Sequence, residues 1–179
     1  MQPMNRREAV KTTGVLLTGV LITSAGLSAC ERSSRSMGSG VLNADDQALV
    51  EEIADTLLPT TPNSAGAKAA GVGPVINLLL TDCREPAEQK RVVDGLKQFR
   101  STVGDHFASM SQSDRENWLR RIDAEARATK DHYFSLVREL SLQAYFSSEI
   151  GTTKALRYIM TPGKWVGCVP LQPGQAAWA

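Results

Sequence analysis

The clearest alternation of apolar and polar positions in the chain lies between Asp131 and Phe146. Tyr133, Leu136, Val137, Leu140 and Ala144 recur at helical spacing and form one apolar stripe. Phe134 and Tyr145-Phe146 widen that stripe into a nearly all-round apolar surface, which predicts a helix in the middle of the fold. Ser147-Ser148-Glu149 can cap a short second helix running through Leu156. Upstream, Asn43 or Asp45 caps a helix with Leu49, Val50, Ile53 and Leu57 inward, closed by Pro59. Thr60 to Gly73 reads as a small-residue loop, and Pro74 opens a short helix through Leu80. Pro86 opens another, with Val92, Val93, Leu96 and Phe99 on its core face. A short piece from His106 to Met110 precedes a helix capped by Ser111 or Ser113 and carrying Trp118, Leu119 and Ile122. No stretch alternates like a strand. The expectation is an all-α fold, a single small helical bundle with an irregular C-terminal tail.

That tail changes the character of the chain. From Tyr158 to Pro170, apolar and aromatic residues flank a Pro162-Gly163 turn signal without helical period. A segment this apolar lies against something, either its own core or a partner. Tyr158, Trp165 and Val166 have interface-like composition and are the candidate partner contacts.

The N-terminal 29 residues are read as a secretion signal, outside the fold. Arg6, Arg7 and Lys11 precede an apolar run from Val15 to Leu27 that is too short and too diluted by Gly, Thr and Ser to span a bilayer. Asn5-Arg6-Arg7-Glu8-Ala9-Val10-Lys11 resembles a twin-arginine export signal, with Arg6 and Arg7 as the pair, although Ser or Thr is missing before it. The alternative is an ordinary signal. Leu27-Ser28-Ala29-Cys30 looks like a bacterial lipoprotein cleavage site, with Cys30 lipidated and first in the mature chain; two acyl chains suffice for stable anchoring. Residues 30–42 are rich in Ser and Gly and read as a flexible tether, followed by a helical domain over 43–179.

Charge and chemistry narrow the function. The whole chain carries a net charge of +1, which suggests no nucleic-acid surface. The two histidines, His106 and His132, belong to neither a Glu-x-x-His nor a Cys-x-x-Cys-His motif, so neither a di-iron bundle site nor a covalent c-type haem is expected. No glycine-rich dinucleotide fingerprint and no Gly-x-Ser-x-Gly elbow is present. Met110 and Met160 read as core or contact residues. No catalytic, cofactor-binding or metal-binding residue is therefore assigned. With Cys30 assigned to lipid, Cys83 and Cys168 remain, either as a disulfide in an oxidising compartment or as two buried free thiols. A bridge would staple the tail to the helix after Pro74, a constraint typically worth roughly 2–4 kcal/mol.

Tyr145-Phe146-Ser147-Ser148-Glu149-Ile150-Gly151, then Leu156, Tyr158, Pro162-Gly163 and Gly167-Cys168-Val169-Pro170, resemble the C-terminal half of the gluconate 2-dehydrogenase subunit 3 family. Ala54-Asp55-Thr56-Leu57-Leu58-Pro59-Thr60 and Gly71-Val72-Gly73-Pro74 sit where that family has similar runs. The resemblance extends over roughly residues 49–178 and implies a non-catalytic small subunit of a membrane-bound, FAD-dependent sugar or polyol dehydrogenase. FAD would reside in a large partner subunit, and the family leaves room for a c-type cytochrome subunit. The small subunit would assist export, assembly or stability of the flavoprotein, lipid-anchored on the periplasmic side of a bacterial membrane. A stand-alone envelope lipoprotein and an envelope enzyme with an unrecognised site remain as alternatives.

Overall fold

A computed structural model describes residues 40–104, 106–161, 163–164 and 166–179. Each helix begins where a local stop-and-start signal stands. Helix α1 (Ala44–Leu57) is capped by Asn43, whose side chain accepts the Asp46 N–H at 2.8 Å, satisfying a donor that has no partner inside the helix. Helix α2 (Val72–Cys83) starts two residues before Pro74, because Gly71 takes a left-handed φ of 64° and turns the chain into the helix there. Pro74 then lies in the first turn, where its missing N–H costs nothing. It also runs on past Leu80 to Cys83.

Helix α3 (Pro86–Val103) has proline in its first turn and a capping box in which Glu85 and Glu88 satisfy each other's backbone N–H groups. It ends at Gly104, with φ 84°. A single 3₁₀ turn (Phe107–Ser109) leads to α4 (Gln112–Ala128), where Ser111 accepts the Asp114 N–H at 3.2 Å. Helix α5 (Tyr133–Phe146) is capped by His132, whose Nδ1 accepts the Phe134 N–H at 3.2 Å.

The predicted central helix is central: α5 packs against each of helices α1 to α4. Phe134 is fully buried, as are Val137, Leu140, Ala144 and Tyr145 to within a few per cent. The apolar face is narrower than the sequence suggests, since Leu142 and Phe146 remain more than a third exposed. Gly95 sets how closely α3 approaches α5. A Cβ there would fall 2.1 Å from the Tyr133 ring, so no larger residue fits without moving the helix. Phe99 and Phe107 meet edge to face at 5.0 Å and close the other side of the core.

The four buried polar residues, Asp46, Thr56, Asn77 and Ser141, are all partnered, whereas the buried Nε atoms of Arg84 and Arg115 have no hydrogen-bond partner. Asp46 pairs with Arg100, and Ser141 donates to the Val137 carbonyl at 2.7 Å. Asn77 exchanges hydrogen bonds with the Leu42 backbone, fixing the start of the domain against α2. The Tyr145 hydroxyl donates to the Ala65 carbonyl at 2.8 Å and is bonded to Ser64 at 2.7 Å. That contact ties the small-residue loop between α1 and α2 to the end of the central helix. Among the described residues there is no strand, only isolated bridges at Thr61–Ser64 and Arg157–Trp178. No described helix is long and apolar enough to cross a membrane.

Candidate partner interface at the C-terminal segment

The route out of the core is set by one glycine. After Phe146 the chain turns, and the Ser148 hydroxyl accepts the Gly151 N–H at 3.0 Å, as the expected cap of a second short helix. That helix ends in one π turn (Gly151–Ala155). Gly151 is pressed against α5: a Cβ would lie 1.9 Å from the Tyr145 carbonyl oxygen. Leu156 N–H closes the turn on the Gly151 carbonyl at 2.9 Å.

Beyond this point the burial pattern reverses. From Arg157 onward every described residue is exposed except the half-buried Gln175. Tyr158 and Val166 are 52% and 58% exposed, and Met160 and Leu171 reach 82% and 81%. Of the three expected partner contacts, Tyr158 and Val166 are therefore displayed, while Trp165 lies outside the described residues. Arg6, Arg7 and Cys30 lie outside them as well.

Cys83 and Cys168 are both free and both exposed, so this structure holds neither the bridge nor the buried thiol pair expected from sequence. The backbone hydrogen bonds that fix the tail run from Arg157 to Ala177 and Ala179, not to the end of α2.

The side chains with chemical potential are dispersed. His132 is a helix cap stacked on the neighbouring Tyr133 ring at 4.6 Å. His106 lies on the surface beside Gly104, lining an open cleft of about 350 Å³ with Met110, Asn117, Trp118 and Arg121. Burial pushes the Tyr133 hydroxyl up to about 12, with Glu125 adding to the effect. A second groove, of about 400 Å³, has an apolar floor of Leu57, Pro59 and Leu119. Its arginines face carboxylates: Arg127 and Arg138 share Asp123, and Arg120 lies 3.8 Å from Glu116. Among the described residues no three His, Cys, Asp or Glu side chains gather in a way that could hold a metal.

Sequence reasoning missed one feature of the tail, its closure. The Arg157 guanidinium stacks over the Trp178 ring, 4.2 Å from the ring centre. Trp178 offered no local signal, because its partner is twenty-one positions away and follows no repeat.

Compared with known families, residues 44–163 match the family model of gluconate 2-dehydrogenase subunit 3. No curated protein and no solved structure gives a significant match. The matched stretch takes in helices α1 to α5 and ends at Gly163, within the exposed tail.

Proposed function

Because this chain belongs to the gluconate 2-dehydrogenase subunit 3 family, we propose that it is the non-catalytic small subunit of a membrane-associated, FAD-dependent sugar or polyol dehydrogenase complex. Its role is to assist export, assembly or stability of the flavoprotein subunit. FAD belongs to that large partner, and a c-type cytochrome subunit fits the same complex. The observation that carries this reading is the displayed tail. Tyr158, Ile159, Met160, Val166, Val169 and Leu171 expose large apolar side chains within one short segment. Exposed apolar surface concentrated in this way marks interaction sites rather than ordinary solvated surface.

The leader completes the proposal. Lipidation at Cys30 would hold the protein on the periplasmic side, and Arg6 and Arg7 would direct folded export. A domain with no cofactor to load gains little from crossing folded. A flavoprotein loaded in the cytoplasm does, and it can cross bound to this chain.

The test is the location of the flavoprotein. Arg6→Lys with Arg7→Lys is expected to strand both proteins in the cytoplasm, as shown by cell fractionation. Trp165→Ala is expected to weaken flavoprotein binding while helical circular dichroism stays at the wild-type level. A flavoprotein that reaches the periplasm normally in cells lacking this chain sinks the export role and favours a stand-alone envelope lipoprotein.

A further inference from the structure

The C-terminal segment is exposed, yet it is not open. Arg157 N–H donates to the Ala177 carbonyl at 2.7 Å, and Ala179 N–H donates to the Arg157 carbonyl at 3.2 Å. The two hydrogen bonds make a parallel bridge between Arg157 and Trp178, and the arginine side chain stacks on that indole. A second fixed point lies within the loop. Gln175 N–H donates to the Gln172 carbonyl at 3.1 Å, and Gly174, after Pro173, has the φ of 72° that a type II turn requires. Residues 157–179 thus form a loop closed at its root and pinned by a turn.

The charge of this loop is one-sided. Residues 157–179 contain Arg157 and Lys164 and no Asp or Glu. Lys164 lies in sequence between the exposed Met160 and Val166, with Val169 and Leu171 following. Such a surface is complementary to one that is apolar and acidic. Closing the loop before binding also removes much of the ordering cost that a free segment of this length would carry into a complex.

We propose that residues 157–179 are a pre-closed docking loop for an apolar, acidic concavity on the partner dehydrogenase subunit, with Trp178, clamped by Arg157, as the positioning residue that holds it shut. The proposal rests on the small-subunit reading above. A fluid lipid surface would accept basic and apolar residues too, but it needs no fixed loop shape. Root clamp and internal turn together favour a shaped protein surface.

The experiment uses the full chain and its flavoprotein partner, with affinity measured by biolayer interferometry. Trp178→Ala should weaken binding by about tenfold or more, and Trp178→Phe, which keeps a ring for Arg157, should stay within about threefold of wild type. Lys164→Glu should also weaken binding and flatten its salt dependence. Thermal midpoints of all three variants should match wild type, while trypsin should cut after Lys164 faster in Trp178→Ala, reporting an opened loop. Wild-type affinity in Trp178→Ala, with the loop opened to trypsin, overturns the docking loop and leaves the small-subunit reading standing. Failure of the wild-type chain to bind the flavoprotein overturns both. Retained flavoprotein affinity with lost binding to vesicles of mixed neutral and anionic phospholipid overturns the proposal in favour of a membrane contact.

Discussion

The central helix α5 and the C-terminal loop are both rich in large apolar and aromatic side chains, yet they lie at opposite extremes of burial. Phe134 in the helix is fully buried, whereas Met160 in the loop is 82% exposed. The difference is one of period rather than hydrophobicity. In α5 most of the apolar residues fall on one stripe, so a single rigid element can turn them towards helices α1 to α4 at once. In the loop, Pro162, Pro170 and Pro173 with Gly163, Gly167 and Gly174 forbid a helix, and no side gathers the apolar positions. Burying such a stretch on its own core would also bury backbone groups that no ladder satisfies. Apolar content without period therefore marks a surface offered outward.

That contrast can be broken most severely in the helix. Phe134→Ala should lower the unfolding free energy by about 3–5 kcal/mol, as expected for emptying a buried aromatic site, measured by urea denaturation. A loss below about 1 kcal/mol would mean that α5 is not the packing centre.

A smaller effect concerns Tyr133, at the start of the same helix. Burial raises its hydroxyl to about 12 in the folded domain, against about 10 in the unfolded chain. The folded state then keeps a proton that the unfolded state releases. The associated stability is fully present below pH 10 and is lost as pH rises from 10 towards 12, by about 2–3 kcal/mol at most. Denaturation series at pH 9 and above pH 11 should show this fall, and Tyr133→Phe should flatten it. An unchanged slope in the variant would assign the fall to other groups.

The smallest effect belongs to the loop. Met160→Ser combined with Leu171→Ser should change stability by no more than about 0.5 kcal/mol, because neither side chain leaves water on folding. A thermal midpoint lowered by several degrees would show instead that the loop packs on the domain, and would erase the distinction between the two regions.

Much of the helical framework was legible in the residues themselves. Asn43, Ser111 and Ser148 cap where their side chains can reach an unpaired N–H a few positions on. Pro86 opens its helix, and Val92, Leu96 and Phe99 face the core as their spacing requires. Helix α2 begins two residues before Pro74, because the left-handed Gly71, not the proline, turns the chain into it. The candidate interface was half legible. Its position and composition follow from the order of residues, but its exposure depends on what the finished bundle leaves room to cover.

By itself, then, the sequence determined the all-α class, the helix caps, the core stripe of α5 and the kinship spanning residues 44–163. These are consequences of contacts within one turn or one repeat, where neighbours in the chain are neighbours in space. Only the tertiary structure decided that Phe146 is partly exposed, that Gly95 is the point of close approach to Tyr133, that Cys83 and Cys168 both lie on the surface, and that Arg157 clamps Trp178. Each depends on which distant segments meet once the helices are packed, and no periodic signal along the chain encodes a meeting of that kind.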